Sequence, residues 1–153
     1  MSAFRGSGLE EVVFPTSLMS VSPSAFQLCR RLRSALLNEG LRSLGVREFV
    51  GREVYEGAVF EDTALESVHI PSTVETIGDD TFSQCAGLKT ITLAEGLETI
   101  GGLWKSNVET ITLPRTLKFA AANTFWGCQH LGTVYVEDGC EACLYRAGVP
   151  ETT

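Results

Sequence analysis

Ile70-Pro71-Ser72-Thr73-Val74-Glu75-Thr76-Ile77-Gly78-Asp79-Asp80-Thr81-Phe82-Ser83-Gln84-Cys85-Ala86-Gly87-Leu88 is the stretch whose reading decides the fold. It is preceded by Leu65-Glu66-Ser67-Val68-His69-Ile70, a hexad of apolar, two variable, apolar, one variable, apolar residues. The same hexad returns at Leu9–Phe14, Leu88–Leu93, Val108–Leu113 and Leu131–Val136, with a weaker copy at Leu32–Leu37. Its penultimate residues fall at 13, 36, 69, 92, 112 and 135. The second block recurs too: Leu18, Val21, Phe26 and Cys29 in one copy, Leu117, Phe125 and Cys128 in another. Aromatic anchors are expected at Phe4, Phe26, Phe49, Phe82, Trp104 and Phe125, with Phe60 a further candidate inside one long step.

A period of 20–29 residues with this pattern specifies a leucine-rich-repeat-like solenoid. Each coil contributes a short strand with alternate side chains buried. No coil can bury its apolar face alone, so stacking creates one continuous core. The expected fold is a repeat solenoid with a parallel β-sheet on one face, and short strands, turns and short helical segments on the other. Ser22–Leu32, a turn before Phe82 capped by Asp79 or Asp80, and Ala120–Phe125 are the expected helical turns, with Ser22 as cap and Pro23 at the first helical position of the first. The solenoid is expected over 3–138 in about six coils, irregular at 45–60, where residues 49–60 read as an insertion or a shortened extra coil, and at 101–108, where the coil contracts. Residues 139–153 read as a partial C-terminal cap and tail. Ala3–Leu9 reads as the second half of a repeat, so the chain is expected to be a slice of a longer protein.

Composition bounds the function. The chain has 153 residues, 12 basic and 19 acidic, a net charge of −7, and 44 % hydrophobic residues. Net acidity argues against nucleic-acid binding. No run approaches the ~18 apolar residues of a membrane span, so no membrane insertion within this chain is expected. Phosphate-binding glycine loops, His-Glu-x-x-His and nucleophile elbows are absent from the sequence, so neither catalytic residues nor a cofactor is expected. Cys29, Cys85 and Cys128 share one repeat position and read as small buried thiols rather than metal ligands. Cys140-Glu141-Ala142-Cys143 is a lone pair: cap residues, a disulfide, a redox pair without the βαβ context one needs, or half a zinc site lacking the other two ligands. His69 and His130 read as solvated, and Glu10-Glu11 and Asp79-Asp80 as solvated turn residues.

The informative surface is the outward face of the main sheet. Alternation places Glu11, Ser34, Ser67, Thr90, Thr110 and Thr133 in one row. Val13, Leu36, His69, Thr92, Thr112 and Tyr135 form a second. Threonine is a good strand former in its own right. The functional reading is a docking face for a protein partner, with Glu11, Leu36, His69, Thr90, Thr92, Thr110, Thr112, Thr133 and Tyr135 as its contact residues. Two coils with Thr-x-Thr are too few for an ice-matching array.

The proline after the strand, the Ile77-Gly78 step and the Phe82-x-x-Cys85 before Leu88 resemble the BspA-like class of leucine-rich repeats. Phe14-Pro15 through Ser24-Ala25-Phe26-Gln27-Leu28-Cys29 resembles it as well, and the likeness runs from Ala3 to Asp138. The resemblance implies a non-enzymatic protein-binding module, part of a larger surface or adhesion protein of a bacterium or protist. The other readings are a scaffold segment of a larger intracellular protein, or the recognition segment of an enzyme.

Overall fold

The structure is a computed structural model, and it describes residues 2–46, 48–50, 52–55 and 57–142. Its coils stack along the chain and repeat three sides: a main strand, a short second strand, and an anchor turn. The main strands are β1 (Glu11–Val13), β3 (Ser34–Leu36), β7 (Ser67–Ile70), β9 (Thr90–Leu93), β11 (Thr110–Leu113) and β13 (Thr133–Val136). All pair in parallel, β1 with β3 and β7 through β13 in order. The amide of Glu66 reaches the carbonyl of Arg33 at 3.4 Å and links the two segments. The second side is a five-stranded parallel sheet of two-residue strands: β2 (Ser20–Val21), β4 (Ser43–Leu44), β8 (Thr76–Ile77), β10 (Thr99–Ile100) and β12 (Phe119–Ala120).

The third side carries the core anchors. Its turns are joined coil to coil by backbone bonds: the amides of Phe4, Phe26, Phe60, Phe82 and Leu103 donate to carbonyls at Ala25, Val59, Thr81, Gly102 and Thr124, at 2.7–3.1 Å. Phe4, Phe26, Phe60 and Phe82 therefore stack, with ring centroids 5.2–5.5 Å apart and planes within 13°. Two anchor expectations are corrected. Leu103, fully buried, takes the position expected for Trp104. Phe60 takes the one expected for Phe49, because β5 (Glu48–Val50) and β6 (Glu53–Tyr55) form an antiparallel hairpin between β4 and the anchor turn.

The short helical segments expected opposite the main sheet are also corrected: among the described residues there is no helix. The reason is local. Left-handed residues flank the anchors two positions away on either side: Ser24 and Leu28 around Phe26, Ala58 and Asp62 around Phe60, Asp80 and Gln84 around Phe82, Asn123 and Gly127 around Phe125. One such residue ends a right-handed helix, and each non-glycine example costs roughly 1–2 kcal/mol. The inter-coil backbone bonds and the burial of the anchor offset that cost, each buried Phe contributing about 1.5–3 kcal/mol.

The cysteine position closes the core beside the anchors. Three residues after each anchor stand Ser7, Cys29, Thr63, Cys85, Ser106 and Cys128, so hydroxyls and thiols alternate. Cys29, Cys85 and Cys128 donate from Sγ to the carbonyls of Phe4, Phe60 and Leu103 at 3.0–3.1 Å. Each also lies 3.4–3.6 Å from the hydroxyl of Ser7, Thr63 or Ser106. Burial pushes the Cys85 thiol up to about 11 and raises Cys128 as well. These thiols act as small hydrogen-bonded core groups. One coil intervenes between each thiol and the next, a separation of two coil spacings or ~9.6 Å, well beyond disulfide reach.

Candidate binding face

The strand register sets which side chains share the outer face. Glu11 pairs with Ser34 and Val13 with Leu36. Ser67, Thr90, Thr110 and Thr133 form one continuous row across β7–β13. In the second row His69 stands beside Thr92, and Thr112 beside Tyr135. All of these residues are exposed, while Ala35, Val68, Ile91 and Ile111 between them are buried. Glu11 and Leu36 lie on the β1–β3 segment, and the other seven residues of the expected face lie on the four-stranded segment.

The face is chemically graded. Exposed Val13 and Leu36 form an aliphatic end, and exposed Tyr135 with Val136 forms the other. Between them His69 Nδ1 and Thr92 Oγ1 are 2.7 Å apart, a cross-strand bond on the surface. Four strands spaced ~4.8 Å apart give a flat polar strip about 14 Å wide. Exposed inter-coil ion pairs border the strands: Lys89 with Glu109, and Arg115 with Glu95 and Glu137. Such pairs are worth little individually, and they fix side-chain positions more than stability. Cys140 is half-buried with Sγ 3.6 Å from the Leu117 carbonyl, and Cys143 lies outside the described residues. His130 is exposed. Among the described residues no group of three or more His, Cys, Asp or Glu side chains is placed to hold a metal ion. Nor is any helix there long and apolar enough to cross a membrane.

A second surface feature escapes the repeat pattern. Trp104 and Trp126 stack with centroids 5.9 Å apart and planes 11° apart. Lys105 Nζ lies 4.3 Å from the centre of the Trp104 ring. Reading Trp104 as an anchor hides this pair. The signal that finds it is the length of its coil: Ile77 to Phe82 and Ala120 to Phe125 each span five steps, and Ile100 to Leu103 only three.

Sequence comparison agrees with this geometry. Residues 1–56 and 54–147 match the BspA type leucine rich repeat region, in six copies. The chain belongs to the BspA-type leucine-rich-repeat family. A comparison with curated protein sequences returns no match. Among solved structures, this BspA-type chain is similar to a leucine-rich repeat protein of T. pallidum, at 25 % identity and a TM-score of 0.76, over 92 % of this chain and 68 % of that one. It is also similar to the pneumococcal vaccine antigen PcpA, at 23 % identity and a TM-score of 0.73, over 85 % of this chain. A leucine rich cell surface protein of Faecalibacterium prausnitzii shares the fold at 22 % identity and a TM-score of 0.52, over 88 % of this chain. The BspA-type chain spans only 31 % of PcpA and 37 % of the F. prausnitzii protein. The parallel solenoid and the repeat family are thus established together.

Proposed function

We propose that this repeat module is a non-enzymatic protein-binding segment, and that it docks an extended partner side-on across the main strand face. The observation that supports this reading most is the register. It aligns His69, Thr92, Thr112 and Tyr135 in one exposed row and Thr90, Thr110 and Thr133 in the next, on strands held rigid by the core beneath them. A flat strip of short hydroxyl side chains loses little conformational entropy on contact. Tyr135 at one end is a side chain of the kind that dominates binding energy, and exposed Leu36 at the other adds apolar contact area. Repeat solenoids generally use such extended surfaces for partners.

The setting we propose is a larger surface or adhesion protein. Two structural neighbours, a vaccine antigen and a cell surface protein, support that setting. Protease applied outside intact source cells should then remove the native product from an immunoblot, whereas a protected band refutes the surface setting.

The face itself is tested by the triple variant Thr90→Glu, Thr112→Glu, Tyr135→Glu. All three positions are exposed, so the circular dichroism spectrum should not change. Capture of partners from surface extracts of neighbouring cells onto the immobilised module should be lost. Undiminished capture by the folded triple variant would sink the assignment of the face.

A further inference from the structure

We propose that the notch left by the shortened fourth coil is a binding site for a neutral pyranose sugar, separate from the strand face. The deletion makes the notch. Coils on either side run five steps from short strand to anchor, so Asp79-Asp80 and Ala122-Asn123 stand out at the turns. Between them Ile100-Gly101-Gly102-Leu103 cuts straight inward. The result is a cavity of about 330 Å³ lined by Asp79, Asp80, Gly102, Trp104, Asn123 and Thr124. That volume suits one small polar ring.

The lining is suited to hydroxyl recognition. Carboxylates accept from sugar hydroxyls, an amide both donates and accepts, and a glycine floor lets a ring approach the backbone. Trp104 borders the cavity, and an indole can pack against ring C–H groups, the apolar side of a pyranose. The groups are also held. Asp80 Oδ1 accepts from Ser83 Oγ at 2.9 Å, and Thr124 Oγ1 donates to the Ala121 carbonyl at 2.7 Å. Gly102 adopts a φ of 77°, and a Cβ there would come within 2.2 Å of the Thr81 amide nitrogen. The floor is therefore fixed as glycine.

The sign of the charge selects a neutral ligand. Two carboxylates disfavour an anion. A cation is drawn by those carboxylates, but it meets the like charge of Lys105 Nζ, 4.3 Å from the centre of the Trp104 ring, which offsets part of that attraction. A neutral polyol meets neither penalty.

Trp104 and Trp126 are the chain's two tryptophans, so intrinsic fluorescence reports on this corner alone. The experiment titrates the protein with methyl pyranosides of glucose, galactose, mannose and N-acetylglucosamine, and separately with N-acetylarginine amide. The expected result is a saturable fluorescence change with at least one pyranoside, matched by ligand-observed NMR. Asp80→Asn keeps a residue tolerant of the left-handed backbone and should weaken binding about tenfold, the scale of one hydrogen bond to a charged group. Ala122→Phe adds bulk at the exposed rim and should abolish it. Thr112→Glu on the strand face should bind the sugar normally, so failure here is distinguishable from failure of the docking face. No response to any pyranoside overturns the proposal. So does a response to N-acetylarginine amide alone, or saturation that survives both notch variants in folded protein.

Discussion

Phe82 offers a direct test of how the coils are aligned. It is fully buried, its ring lies 5.5 Å from that of Phe60, and its amide binds the Gly102 carbonyl in the coil beyond. Phe82→Ala removes a ring from a packed interior and leaves a cavity, which costs about 3–5 kcal/mol. For a chain of this size that corresponds to a fall in Tm of roughly 8–16 °C at ~4 kcal/mol. Phe82→Leu should behave very differently. Leu103 already fills the equivalent position one coil later, buried and bonded through its own amide to Thr124. The stack therefore accommodates a leucine there, and the change should cost no more than about 1.5 kcal/mol. Thermal and urea unfolding should be followed by far-ultraviolet circular dichroism and by tryptophan fluorescence. The first probe reads the whole solenoid, and the second reads the two coils after Phe82. In an array stabilised by nearest-neighbour interfaces, a weakened central interface also lets the two halves unfold apart. The two probes should separate for Phe82→Ala and coincide for Phe82→Leu. If both variants lose the same stability, Leu103 is not the structural equivalent of Phe82, and the alignment of the coils is wrong.

Gly102→Ala forces a left-handed alanine against backbone, and should cost more than about 2 kcal/mol by urea unfolding; a smaller loss means the notch floor is not close-packed. Because folding raises the Cys85 pKa from 9.0 to about 11, its contribution to stability is complete below pH 9 and is lost as pH rises toward 11, by up to ~1.4 kcal/mol per unit. Comparing wild type with Cys85→Ser by denaturant titration over pH 8–11 isolates that loss, and identical slopes refute it. Native protein at pH 8 should leave Cys29, Cys85 and Cys128 unmodified by iodoacetamide while half-buried Cys140 reacts, as read by peptide mass mapping; rapid labelling of the first three means the core opens. Arg42→Gln breaks an exposed pair with Glu75 and should change stability by less than about 1 kcal/mol, a bound checked by thermal unfolding at low and high salt.

The repeat made the architecture legible because solenoid coils repeat their burial as well as their spacing. Val68, Ile91 and Ile111 recur at one sequence phase and are buried at one structural position, which is why the strand register could be written down from the hexads alone. Helix was misread for a definite reason. Pro23 and Ser22 are sound helix-start signals, but they act within one coil. The left-handed Ser24 and Leu28 serve bonds to Gly57 and Glu61 in the next coil, and no local propensity records those bonds.

The misassigned anchors share that cause. Phe49 and Trp104 are aromatic at nearly the right spacing, and an aromatic is the stronger core signal by size. What decides the position is which amide meets which carbonyl across coils. By that criterion two residues are missing before Leu103 and one after Ser106, in place of a single contraction. The two missing residues leave Gly102 as the floor of the notch and shift Trp104 one step outward, onto Trp126 and beside Lys105. The shortening before Leu103 therefore seats a leucine at the core position, leaves Trp104 outside it, and opens a polar cavity beside it. A regular repeat cannot produce either feature. Departures from the period are where this chain differs chemically from a generic solenoid, and so where specificity beyond the flat strand face should be sought.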